Sequence, residues 1–109
     1  MIPTNVEVYL KYKGEDMVIS GSGNGPLSAT VRAIRDNAKL CDFILEDYTE
    51  RTMGANADAQ AMAFVGIRGK NNSKQIYYGA GNHADIGHAA LLALFSALNY
   101  ALKQDPQAI

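Results

Sequence analysis

Histidine and cysteine have the widest chemical repertoire of any side chains, and this chain of 109 residues carries His83, His88 and Cys41 alone of those types. A shared metal wants ligands three or four apart on a helix, with Cys or carboxylate partners to fill the coordination sphere. The two histidines are five apart, and no acidic or Cys cluster completes a set. Ser22, His83 and Asp85 include the residue types of a hydrolytic triad, but a triad is defined by geometry, and nearness in sequence among common residues does not supply it. Cys41 sits at a strand entrance as a small hydrophobe. No catalytic residue and no cofactor or metal are therefore expected in this chain.

The glycine-rich segment Gly21-Ser22-Gly23-Asn24-Gly25-Pro26 leaves an apolar stretch and opens a helix, the context a nucleotide fingerprint requires. Its third glycine comes one position early for G-x-G-x-x-G, and no P-loop lysine follows. Two other readings stay open. The glycines permit a tight turn and close backbone approach; or free N–H groups at the helix head, aided by its dipole, bind a small anion such as an amino-acid carboxylate. Further on, Leu45-Glu46-Asp47-Tyr48-Thr49-Glu50-Arg51-Thr52 mixes acids and aromatics on a strand. It is either a solvated edge or one wall of an apolar niche whose carboxylate meets an ammonium, with Asp47 or Asp58 as the acid. A niche of the second kind would bind a free amino acid.

The elements that position these residues follow from periodicity. Gly21-Ser22-Gly23-Asn24 recurs as Gly79-Ala80-Gly81-Asn82, an offset of 58 (79 − 21) that marks an internal duplication. Val6 to Tyr12 alternates, with Val6, Val8, Leu10 and Tyr12 on one face of a strand; Lys13 to Asp16 turns the chain and Met17 to Ser20 returns. Pro26 starts a helix to Asn37 with Leu27, Val31, Ile34 and Ala38 as its stripe. Phe43 to Thr52, Ala57 to Arg68 and Gln75 to Tyr78 read as strands, with turns over Met53-Gly54-Ala55-Asn56 and Gly69 to Ser73. Ala59, Ala61, Ala63, Val65 and Ile67 share a side. The last helix, from Ala84 to about Lys103, is apolar nearly all round, so a partner surface is expected against it.

Together these give an α+β fold. Duplicated strand-strand-(strand)-helix units, about 5–38 and 43–103, form one domain over 1–109, with two helices on antiparallel sheet in a dimer. Balanced charge (net −1) with dispersed basic residues excludes the footprint of a nucleic-acid binder. Ala89 to Leu102, broken by Ser96 and Asn99, reads as too short and polar to span a bilayer, so no membrane partner is expected. A lone cysteine and the lack of a signal core point to the cytoplasm.

Gly23-Asn24-Gly25-Pro26-Leu27, Leu45 to Glu50, Asp58-Ala59-Gln60-Ala61 with Phe64-Val65, Gly79-Ala80-Gly81, Asp85-Ile86 and Ser96-Ala97-Leu98-Asn99 closely resemble the C-terminal regulatory domain of alpha-isopropylmalate synthase. Citramalate synthases carry the same kind of domain. The resemblance implies a domain that pairs across a two-fold axis and binds the end product there: leucine in the first family, typically isoleucine in the second. The partner in inhibition is a distant catalytic barrel that uses a divalent metal to condense acetyl-CoA with a 2-oxo acid. No such barrel is present here, so the chain reads as an excised regulatory segment or a free-standing relative. Carried over by position, the effector-binding residues are Gly23, Asn24, Leu27, Ser28, Leu45, Tyr48, Thr52, Ala59 and Ile86. Where many such synthases have His and a small hydroxyl residue, this chain has Arg51 and Ala90, and His83 is a further departure. A dimerisation module without effector binding is the alternative.

Overall fold

The computed structural model describes residues 2–37, 42–54, 59–70, 74–105 and 109. Ala38, Cys41, Asp58 and the inner residues of the two loops proposed above lie outside them. Two compact units meet between Asp42 and Phe43. Helices and antiparallel sheets are segregated in each, giving the expected α+β fold.

The first unit is a hairpin with one helix. Strand β1 (Thr4–Tyr12) alternates half-buried and exposed residues along its whole length, as a two-faced strand should. It pairs with β2 (Glu15–Gly23) through a two-residue turn in which Lys13 and Gly14 both have positive φ, the primed-turn geometry that matches strand twist. Helix α1 (Pro26–Arg35) lays Ala29, Thr30, Val31, Ala33 and Ile34 on this hairpin, and Arg32 and Arg35 complement its C-terminal dipole.

The second unit has three strands in the order β3 (Phe43–Met53), β4 (Gln60–Gly69), β5 (Ile76–His83), with helix α2 (Ile86–Gln104) packed on β4 and β5. Ala61, Ala63, Val65 and Ile67 point one way and are buried, as their alternation predicts. Phe43, Ile67, Leu94 and Val65 are the largest side chains sealed in this core.

The sequence-based strand ends need correction. Gly21 and Gly23 belong to β2, and Gly79 and Gly81 to β5, because their missing β-carbons let a helix lie directly on the strand. A methyl group on Gly21 would sit 2.3 Å from the Ala29 carbonyl oxygen and 2.7 Å from the Ala33 nitrogen; on Gly81, 2.3 Å from the Ala89 oxygen and 2.7 Å from the Ala93 nitrogen. Gly21 thus corresponds to Gly81, and the caps Gly25 and Asp85 to each other, an offset of 60 (81 − 21) and not 58. Gly79 is an additional contact made because α2 runs farther along its strand, reaching Ala93 and Ala97.

Helix α2 also differs from expectation. By length and composition alone it is long and apolar enough to cross a membrane. Its alanine face (Ala89, Ala90, Ala93, Ala97, Ala101) is nevertheless sealed on the sheet, as in a core helix, while Leu92, Ser96, Asn99 and Tyr100 are exposed. The helix is therefore covered on one side within the described residues, and its exposed side is the one against which the sequence led to a partner surface.

Candidate functional site

In the first unit the predicted residues gather at the head of α1. Gly23 ends β2 and is buried; a methyl on it would strike the Ser28 hydroxyl at 2.6 Å and the Ala29 nitrogen at 2.8 Å. Leu27 and Ser28 occupy the first helical turn, half-buried, and Asn24 is exposed beside them. The cap, Gly25, has extended backbone (φ −167°, ψ 179°), brings no side chain to the helix N–H groups, and no acidic residue follows in the first turn. The first helical hydrogen bond is Ala29 N–H to the Gly25 carbonyl, 2.9 Å. Since Pro26 has no N–H, Leu27 and Ser28 present the head's unclaimed donors, as helix geometry leaves them.

The head of α2 is already served. Asp85 accepts a hydrogen bond from Gly87 N–H at 2.9 Å through Oδ1, a side-chain N-cap. Its own N–H donates to Nδ1 of His83 at 3.0 Å, and the His83 ring stacks on His88 with centroids 4.0 Å apart and planes 14° from parallel. The lone pairs of parallel rings do not converge on one ion, and among the described residues no group of three or more His, Cys, Asp or Glu is placed to hold a metal. Asp85 spends its carboxylate on the helix, not on the imidazole, so the pair lacks the orientation a triad needs.

In the second unit a β-bulge decides which side chains share a face. Leu45 pairs with Ile67 and Asp47 with Gly66, so Glu46 is the extra residue. Beyond it Tyr48 stands opposite Val65, Glu50 opposite Ala63 and Thr52 opposite Ala61, on the sheet face that α2 covers at β4 and β5, while these three β3 residues are themselves exposed. A regular strand cannot put residues three apart on one face; the bulge puts Leu45, Tyr48 and Thr52 there together. Glu46 is turned outward, where its carboxylate meets Nε of Arg68 at 2.8 Å. The row continues from Thr52 through Ala61 to His83, so Thr52 lies at the same end of the sheet as the α2 head with Ile86, which is exposed. Ala59, half-buried, enters β4 near Gly54. Asp47 and Arg51 fall on the opposite face, which removes Asp47 as an acid for this wall and Arg51 as a cation beside it.

Sequence reasoning left out Glu50. Its Oε2 accepts a 2.6 Å hydrogen bond from the Tyr48 hydroxyl. Partial burial, then the bond and the charge of Glu50, push the Tyr48 phenol up to about 12. The signal that could have found it was the spacing Leu45 to Tyr48, which fits a single face only if a residue is inserted.

The glycine segments do not form a dinucleotide site: β1 and β2 are antiparallel, and no parallel crossover exists among the described residues.

Residues 2–102 match the sequence model of the LeuA allosteric (dimerisation) domain. Among curated proteins, the chain is 39% identical over 100 residues to a 2-isopropylmalate synthase of Mycobacterium ulcerans, covering 90% of this chain and 16% of that protein. It is 37% identical to the Mycobacterium leprae protein of the same name, covering 91% and 16%, and 32% identical to that of Saccharomyces cerevisiae, covering 79% and 14%. The chain therefore spans about one sixth of the length of these relatives.

Proposed function

Because the chain belongs to the LeuA allosteric (dimerisation) domain family, we propose that it is the leucine-sensing regulatory domain of a cytoplasmic 2-isopropylmalate synthase, acting as a homodimer and inhibiting a catalytic domain when the end product accumulates. The parent's chemistry, an acyl transfer from acetyl-CoA to a 2-oxo acid with a divalent metal, belongs to that catalytic domain.

The observation that carries the effector reading is the difference between two otherwise equivalent helix heads. One is filled by the chain's own carboxylate, Asp85; the other has a glycine cap, no side-chain cap hydrogen bond and no acid in its first turn. An effector carboxylate is the group that fits the open one. Magnitudes make this group necessary. Burying a leucine side chain contributes about 2 kcal/mol, while micromolar binding requires about 8 kcal/mol. Charge-assisted hydrogen bonds, about 1.5–3 kcal/mol each, must supply much of the remainder. Inhibition is then a coupling between sites: leucine favours the dimer arrangement in which catalysis is slow.

Calorimetric titration of the chain with leucine, isoleucine and valine tests this. Heat with leucine foremost is expected. Strongest binding of isoleucine would transfer the domain to the citramalate synthase type, and a dimer that binds none of the three would be a dimerisation module only.

A further inference from the structure

Resting on the reading above that the chain acts as a homodimer, we propose that the second copy docks on the sheet face of the second unit opposite α2, about a two-fold axis running along the row Thr49–Phe64–Ala80. In β4 the buried Ala61, Ala63, Val65 and Ile67 face the helix, so the residues between them and their cross-strand partners form the other face. Phe64 lies at its middle, and Tyr78 and Met53 stand on it with 55% and 51% of their surface exposed. Tyr78 pairs with Gly66, and a methyl on that glycine would sit 2.7 Å from the tyrosine ring, so the ring is spread over the gap the glycine leaves. A broad, level apolar surface on a small domain marks a site of protein contact.

The charge pattern names the occupant. Asp47 and Arg51 stand on this face on either side of Thr49, opposite Gly66 and Met62, and among the described residues neither joins an ion pair or a side-chain hydrogen bond. Rotation by half a turn about the central row lays β3 antiparallel over β3 of the second copy and Phe64 against its own equivalent. Each Asp47 then meets the Arg51 of the other copy, the reciprocal pairing that an isologous contact requires. Met62 is carried onto the tyrosine-covered Gly66, where its flexible thioether suits an aromatic surface. Two sheets stacked with their strands nearly aligned is an ordinary packing for such faces. The exposed side of α2 has no comparable pattern: Ser96 and Asn99 lie between Leu92 and Tyr100, and the helix contains no acid.

Sedimentation equilibrium on the whole chain tests this with Asp47→Arg, Arg51→Asp, the two combined, and Leu92→Asp on the exposed side of α2. Either single reversal sets like charges against each other twice across the axis and should weaken the dimer by about tenfold or more. The combined exchange restores opposite charges and should return the dimer constant to within about threefold of wild type, which a chain damaged by the substitutions would not do. Leu92→Asp should leave it unchanged. Single reversals that dimerise like wild type, a combined exchange as weak as the singles, or a dimer lost on Leu92→Asp overturns the assignment to this face while leaving the homodimer reading intact. A wild-type chain that is monomeric at micromolar concentration overturns the homodimer reading and this assignment with it.

Discussion

Tyr48 and Glu50 form a two-residue device whose behaviour is measurable without any ligand. With its phenol raised to about 12 from the ordinary 10.0, Tyr48 favours the fold in its neutral form. That contribution is complete below pH 10 and is lost as pH rises through 12. Spectrophotometric titration at alkaline pH should show Tyr48 ionising near 12, and Glu50→Gln should bring it back toward the ordinary 10.0; a Tyr48 that ionises at the ordinary value would contradict the hydrogen bond. Gly81 is governed by contact, not charge. Gly81→Ala places a methyl 2.3 Å from the Ala89 carbonyl oxygen, a backbone atom that cannot turn aside. A loss of at least about 2 kcal/mol is expected, near 10 °C or more in melting temperature. Gly25→Ala, with nothing within 4 Å, should cost less than about 1 kcal/mol. The glycines were legible in the sequence as residues of close approach. Their place inside the strands was not, because a strand that carries a helix on glycine reads locally like a loop.

At the scale of elements, α1 and α2 are two versions of one helix that differ at the head and in the core. Removing the α2 cap with Asp85→Ala should destabilise the fold by about 1 kcal/mol, visible as a fall of about 4–8 °C in melting temperature. In α1, the buried Thr30 hydroxyl has no hydrogen-bond partner among the described residues. Thr30→Val keeps the shape and removes the orphaned group, so thermal unfolding should move upward, by about 1 kcal/mol in stability; a lower midpoint would mean the hydroxyl is satisfied. Helix starts at Pro26 and near Ala84, the alternation of β1 and the buried side of β4 all followed from spacing. The bulge at Glu46 did not. It depends on the register with β4, and pairing between strands is absent from any local pattern.

For the whole molecule, duplication is the organising fact, and it was visible in the sequence from the repeated glycines. The true offset required the helix contacts, since only they reveal that Gly21 answers to Gly81. The units differ as much as they agree: the second has a third strand, which carries Tyr48, and the first has a helix without a side-chain cap. Sedimentation should give about twice the 11.7 kDa chain mass, as a dimerisation domain requires, and a monomer at micromolar concentration would contradict the homodimer. The central claim, that the open head of α1 is where the effector's carboxylate binds, is tested most directly by titrating leucine into Gly25→Asp. Backbone at Gly25 is extended and its surroundings are empty, so Asp fits and caps α1 as Asp85 caps α2. The account predicts a chain as stable as wild type or more so, with leucine affinity lowered by at least about tenfold; unchanged leucine affinity in that variant would contradict it.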